Sequence, residues 1–373
     1  MFENYKSPQE FIPKDPRFGV GPSLVPVEFL KSLADTGLHL MGTSHRKSAV
    51  KNLVKDIQEG LKSYFNLPAG YSVVLGNGGA TLLFDMIGLG MVEKSSLHFT
   101  CGEFSEKWFK NHKQIPWIKA EQKSVAAGLG INPTLVPGHD MICGTLNETS
   151  TGVIISEFPK MDEQTILAID ATSGAGQVPA DFSKIDLFFF SPQKVFASDG
   201  GLFTAIMSPK ARERALKIAA DKSRYVPDIM NWAQAIDNSD KNQTYNTPAI
   251  ATLYILREQI VKMNRAGRNA VEADGKAKAE LIYGWAEKKD YLSPYVKEAK
   301  FRSTVVATID VDEKVDTNAL LAIWEKQKIV YGIDAYRKLN RNQFRIGMFY
   351  NIAFGDLERL TKLIDHAASS VLK

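Results

Sequence analysis

From Tyr71 to about Met207, short apolar runs rich in β-branched and aromatic residues alternate with stretches of helical period. Runs of this length, punctuated by Gly, Pro or Asp, read as buried strands, and their alternation with helical stretches predicts a mainly parallel sheet with helical crossovers. The expected strands are residues 71–76 (YSVVLG), 96–100 (SLHFT), 139–146 (HDMICGTL), 165–170 (TILAID), 186–191 (DLFFFS) and 201–207 (GLFTAIM), with helices over 81–91 and 104–114. After Pro248 the texture changes. An Ala-, Leu-, Ile-, Lys- and Glu-rich stretch over 249–288 predicts one or two long helices linking two domains. Beyond it STVVATIDV (303–311) alternates as a half-buried strand, 317–328 reads as a helix and 342–349 as a strand. A final helix over 355–372 carries Leu357, Leu360, Ile364 and Ala367 on one face. The expectation is a large α/β domain over 1–260, which includes the N-terminal segment, and a smaller α+β domain over 261–373.

Composition narrows the function classes. With 373 residues, 44% hydrophobic and 24% charged, the chain has the make-up of a globular protein and length for two domains. Its 46 Lys and Arg against 42 Asp and Glu leave only +4, with no concentrated basic face to suggest nucleic acid or an anionic membrane. Cys101 and Cys143 form neither a CxxC pair nor a ladder, and the six histidines are not at ligand spacing, so no metal is expected. Neither a signal-like apolar start nor a run long enough to span a membrane is present, which predicts a cytoplasmic protein.

Three features carry chemistry. The strand at 71–76 runs into Asn77-Gly78-Gly79-Ala80-Thr81 and then a helical pattern, aiming free N–H groups and a helix dipole at one spot. Such a loop either binds a phosphate or simply turns the chain. Asp170 ends the run TILAID, where a parallel sheet presents ligand-binding residues, though a turn aspartate would read the same way. The strand DLFFF delivers Ser191-Pro192-Gln193-Lys194 and then Gly200-Gly201. A lysine held among apolar residues has a depressed pKa, which suits an amine that must be neutral to add to a carbonyl. Phosphate loop, aspartate and lysine together meet the needs of pyridoxal 5'-phosphate: N–H donors, a carboxylate for the pyridinium nitrogen, an amine for the aldehyde.

At this point the sequence resembles the class V aminotransferases of fold type I, most closely the phosphoserine aminotransferase family in its actinobacterial form. The blocks that carry the likeness include MGTSHR (41–46), LGNGGAT (75–81), GEFSEK (102–107), NETSTG (147–152), IDATSGAG (169–176), SPQKVFASDGG (191–201), NQTYNTPAIATL (242–253) and YRKLNRNQFRIGMF (336–349). The resemblance implies a pyridoxal-phosphate transferase in which Lys194 joins the cofactor and moves protons, and Asp170 pairs with the ring nitrogen. It places Gly79, Ala80, Thr81 and Gln193 at the cofactor phosphate, joined by Asn246 and Thr247 of a second subunit, hence a homodimer. Phe104 would stack on the ring and Thr149 would bond its phenolic oxygen. His45, Arg46 and Arg337 would take the substrate's side-chain phosphate or γ-carboxylate, and Arg345 its α-carboxylate. The substrates implied are glutamate and a phosphorylated 2-oxo acid, in serine synthesis and also in pyridoxine synthesis. A serine- or alanine-glyoxylate-type enzyme is the alternative. Tyr336 stands where many members carry histidine, so Lys338 or Arg341 could supply the missing phosphate contact.

Overall fold

The computed structural model describes residue 2 and residues 5–372. Two helices, α1 (Val27–Leu40) and α2 (Ser48–Phe65), precede the sheet. Strand and helix then alternate: β1 (Ser72–Asn77), α3 (Gly79–Met91), β2 (Ser95–Thr100), α4 (Glu103–Lys113) and β3 (Lys119–Ser124). After β4 (Met141–Thr145) comes a short hairpin of β5 (Asn147–Glu148) and β6 (Val153–Ile154), followed by β7 (Ile166–Asp170), β8 (Leu187–Phe190) and β9 (Leu202–Met207). Helices α5 (Pro209–Ala219) and α6 (Trp232–Asp240) close this half.

Seven strands form one sheet in the order β1-β9-β8-β7-β4-β2-β3. All run parallel except β9, which is antiparallel to both neighbours. Helices cover both faces, and this is why the central strands show no polar alternation. Along β7 and β8, Leu167, Ile169, Phe188 and Phe190 enter one core, while Ile166, Ala168, Leu187 and Phe189 enter the other. The carboxyl ends of β1, β4, β7 and β8 therefore open on the same edge of the sheet, where an open α/β fold binds its ligands.

The expected long helical stretch is two helices, α7 (Ile250–Ala266) and α8 (Arg268–Ala286). Gly267, at φ +83°, breaks them, in a conformation that costs glycine no Cβ clash. A three-stranded antiparallel sheet follows, β10 (Leu292–Pro294), β11 (Val306–Val311) and β12 (Gln343–Gly347), with α9 (Thr317–Gln327) between the last two and α10 (Phe354–Ser369) after them. Strand β11 is not half-buried as its alternation suggested. Of its residues only Asp310 is partly exposed, because α8 packs on it and Thr308 Oγ1 reaches back to donate to Thr151 O at 2.8 Å. No helix among the described residues is long and apolar enough to cross a membrane.

Two histidines meet in space although they are not at ligand spacing in the sequence. On the α3/α4 side of the sheet, single ligand atoms of His98, His112 and Cys143 lie within 4.8 Å of one another, all buried. Hydrogen bonds link the two rings, while His98 Nδ1 is buried without a partner. Trp108 Nε1–H donates to His112 Nε2 at 3.0 Å, which leaves the proton on Nδ1 to face His98 Nε2 at 3.1 Å and Ser96 Oγ at 3.1 Å. Burial holds His112 down to about 3, and burial with its neighbour holds His98 well below its ordinary value. Both rings are therefore neutral in the folded chain near neutral pH. A histidine whose folded pKa is depressed contributes stability above its unfolded value of 6.5 that is lost as pH falls from there towards 3. We expect each ring to take about 1.4 kcal/mol per pH unit from folding stability below that value. Denaturant titrations from pH 7 to pH 5 check this; a flat profile contradicts it.

Candidate active site

Strand β1 hands over to α3 through two glycines with positive φ, Gly78 at +117° and Gly79 at +73°. Gly78 N–H donates to Gly201 O at 2.9 Å, which pins the turn to the start of β9. Gly78 is also the residue that precedes the helix, so no side chain caps α3. The first N–H groups of the helix are left facing outwards, at its positive end. They face a cleft of about 440 Å³ lined by Gly78 to Thr81, Phe104, Lys107, Thr145, Asn147, Thr149, Asp170, Thr172, Ser173, Ser191, Gln193 and Lys194, among others.

Asp170 is both things its position suggested. Thr172 donates to its Oδ1 through backbone N–H at 3.0 Å and through Oγ1 at 2.6 Å, a local turn that fixes the carboxylate. The same carboxylate lines the cleft, only 4% exposed. Burial pushes its pKa up to about 6 against the Thr172 hydrogen bonds, with Glu148 adding to the rise and Lys194 opposing it.

Lys194 follows β8 across the same edge, 9% exposed. Its Nζ donates to Val20 O at 2.6 Å. Burial first, then the charge of Arg345, hold its ammonium down to about 8, against the pull of Asp170. Ser23 ties this loop from the other side, its N–H donating to Gln193 O at 2.8 Å and its hydroxyl to Lys194 O. Gly21 leaves the space that the amine needs: a Cβ there, at φ +146°, would fall 1.7 Å from Lys194 Nζ. Gly21→Ala is thus expected to displace the amine and to cost about 1–3 kcal/mol of stability from backbone strain. Reactivity of Lys194 in cofactor uptake and a thermal melt measure both; unchanged uptake contradicts the reading.

Not every expected site residue enters this cleft. Phe104 lines it, its ring tilted 56° to that of Tyr336 with centroids 6.2 Å apart. Thr149 lines it too, with its hydroxyl donating to Ser173 Oγ at 2.8 Å. Arg345, on β12, touches the lining at Thr149 without being part of it: Nη1 donates to Thr149 O at 3.4 Å, the guanidinium sits 5.3 Å from the Tyr336 ring centroid, and its buried Nε has no partner. His45, Arg46, Asn246 and Thr247 instead gather outside the lining. His45 Nδ1 lies 3.3 Å from Thr247 Oγ1, Arg46 Nη1 donates to Gln243 Oε1 at 3.0 Å, and Arg46, Asn246 and Thr247 are exposed. Arg337 is exposed as well. Neither suggested substitute for the missing histidine is free: Lys338 pairs with Glu103, and Arg341 holds Asp310 through two bonds of 2.9 and 2.8 Å.

The sequence reading missed four residues that shape the site. Thr172 was legible, since Asp-x-Thr is the signature of the turn it makes. Ser173 and Asn147 knit the wall together, Asn147 Nδ2 donating to Ser173 Oγ at 2.8 Å. Glu148, fully buried, accepts from Phe104 N–H at 3.2 Å, Ser105 N–H at 2.9 Å and Ser150 Oγ at 2.6 Å. It caps α4 and so fixes Phe104 beside Thr149, which no local pattern announces.

The sequence model of the aminotransferase class-V family matches residues 112–331, and the chain belongs to that family. It is 46% identical over 361 residues to a phosphoserine aminotransferase of Corynebacterium glutamicum (strain R), covering 96% of either chain. Among solved structures it is similar to a phosphoserine aminotransferase from Cytophaga hutchinsonii, with a TM-score of 0.85 at 23% identity over 94% of this chain and 99% of that one. It is also similar to the PLP-bound phosphoserine aminotransferase from Trichomonas vaginalis, with a TM-score of 0.79 at 20% identity over 94% and 100%. These two share its fold.

Proposed function

We propose that this chain uses pyridoxal 5'-phosphate to move an amino group between glutamate and 3-phosphohydroxypyruvate, giving 2-oxoglutarate and O-phosphoserine, a step of serine synthesis. The observation that carries the reading is one cleft in which a buried lysine, a buried carboxylate and an uncapped helix N-terminus face each other. The name of the Corynebacterium relative and the PLP held by the Trichomonas enzyme support it.

The residues present fit such a group. A Cβ at Gly79 would project to 3.4 Å from Ser191 Oγ, into the space a phosphate would take. Three polar atoms of the lining, Gln193 Oε1, Thr145 Oγ1 and Asn147 Oδ1, are buried without partners. Gly79, Ala80, Thr81 and Gln193 would hold the phosphate, Asp170 the ring nitrogen, Phe104 a ring face and Thr149 the phenolic oxygen. The cofactor supplies the electron sink that stabilises charge left on the substrate's α-carbon.

The chain does the rest. Lys194 is the base placed in the cleft, and a pKa near 8 lets it both take and return a proton close to neutral pH. Arg345 has no carboxylate partner among the described residues and offers a fork to the α-carboxylate. His45, Arg46 and Arg337 would choose the side-chain phosphate or γ-carboxylate. Since the first two cluster with Asn246 and Thr247 outside the lining of this cleft, we read that cluster as serving the cleft of a second copy, in a cytoplasmic homodimer with the division into 1–260 and 261–373. The same anion-binding residues would admit 4-phosphohydroxythreonine, the pyridoxine route. Cofactor-loaded protein mixed with glutamate and phosphohydroxypyruvate should release 2-oxoglutarate. Turnover of alanine and glyoxylate in its place would overturn the substrate assignment.

A further inference from the structure

The cleft holds a cation that the reading above leaves unused. Lys107 stands one turn beyond Phe104 on α4, lines the same cleft, and places Nζ 3.3 Å from Thr81 Oγ1 at the start of α3. A helix N-terminus carries about half a positive charge and disfavours a nearby cation. The two carboxylates of the lining, Asp170 and Asp199, accept from Thr172 and Gly200 and not from Lys107. The first turn of α3 has no acidic residue, and Lys107 makes no ion pair, whereas Lys110 on the same helix takes Glu106 at 3.3 Å. Uncapped N–H groups, the Thr81 hydroxyl and an ammonium converge on one end of the cleft. Further along, Thr145, 6% exposed, keeps a hydroxyl that has no partner and is free to donate in the same lining. The arrangement calls for a dianionic ligand.

We propose that Lys107 is the cationic arm of the cofactor's phosphate cup, a role that rests on the pyridoxal-phosphate reading. The anion is a phosphate monoester, doubly charged near neutral pH, which an ammonium meets as a point charge alongside backbone donors. The cofactor's phosphate is the one at issue, because Lys107 reaches Thr81, a member of the cup, and shares no hydrogen bond with His45, Arg46 or Arg337. Neighbouring α4 thus contributes a charge to a cup otherwise made of neutral donors, and the exposed lysine also makes uptake sensitive to salt.

Cofactor-free protein titrated with pyridoxal phosphate and with pyridoxal, followed by absorbance, tests this. Lys107→Gln is expected to raise the Kd for the phosphate ester by about tenfold, the weight of one charge-assisted hydrogen bond, and to weaken its salt dependence. The affinity for pyridoxal should stay unchanged, and Lys107→Arg should restore most of the loss. Equal binding by Lys107→Gln and the parent chain overturns the proposal. So does a variant with unchanged cofactor Kd and a raised KM for the phosphorylated substrate only, which would assign Lys107 to that substrate. Absence of uptake by the parent chain would instead overturn the pyridoxal-phosphate reading itself.

Discussion

Lys194→Ala protein, loaded with pyridoxal phosphate at saturating concentration, is expected to lose at least about 10³-fold in transamination rate, since positioned acid–base catalysis alone is worth 10²–10⁴. Lys194 is the side-chain amine in reach of the cleft's interior. Lys107 stands at its phosphate end, and Asp170 faces it from β7. The loss should fall on kcat, while the phosphate cup, which the substitution leaves intact, still holds the cofactor without its link to Lys194. The space that Gly21 keeps clear becomes a void, so added small primary amines should restore part of the rate. Steady-state kinetics with and without such amines measure both effects. Retention of more than a tenth of the parent rate contradicts the role.

The second expectation joins activity to stability. Asp170→Asn keeps the shape and the Thr172 turn but removes the charge, and loss of one preorganised electrostatic partner costs about 10²–10³ in kcat. The same change should make the cofactor-free chain more stable. Burial raises the carboxyl from 3.8 to about 6, so the folded chain disfavours the ionised form that predominates above that value. A carboxyl raised in this way costs nothing below pH 3.8, and its penalty grows as pH rises from there to 6, reaching up to about 3 kcal/mol at neutrality. Guanidinium unfolding at pH 7 should therefore show Asp170→Asn more stable than the parent when cofactor is absent. Bound cofactor should reverse the order, because the pyridinium partner then favours the charge. Equal stability of the two chains without cofactor would contradict the assignment of Asp170 as a strained, function-bearing carboxylate.

The strands that build the site were legible because they are buried on both faces. Continuous apolar runs such as LFFF in β8 and ILAID in β7 cannot be solvated, and Lys194 and Asp170 stand out at their ends. Strand β3, KAEQKS, was not legible. It pairs with β2 alone at the sheet edge with most of its side chains in water, so its pattern carries no apolar period. Helix α5 hides in the same way behind a polar composition, although Ser208 and Pro209 mark its start with a hydrogen bond from Ala211 N–H at 3.1 Å. Lys107 is the clearest case at the site. Within EFSEKW it reads as one more solvated helix lysine, and only the packing of α4 beside α3 turns it towards Thr81. Glu148 is silent for a related reason: its partners Phe104, Ser105 and Ser150 come together through a turn that local spacing does not encode. The cluster of His45, Arg46 and Thr247 shows the remaining limit, since the function of residues that would serve another copy's cleft is not legible from one chain.

The measurement closest to the centre of this account is the visible absorbance of the protein loaded with pyridoxal phosphate, freed of excess cofactor and then given glutamate alone. The account predicts a yellow protein that bleaches with release of one equivalent of 2-oxoglutarate per chain and regains its colour with phosphohydroxypyruvate. A protein that stays colourless after loading, or whose colour glutamate leaves untouched, would contradict it.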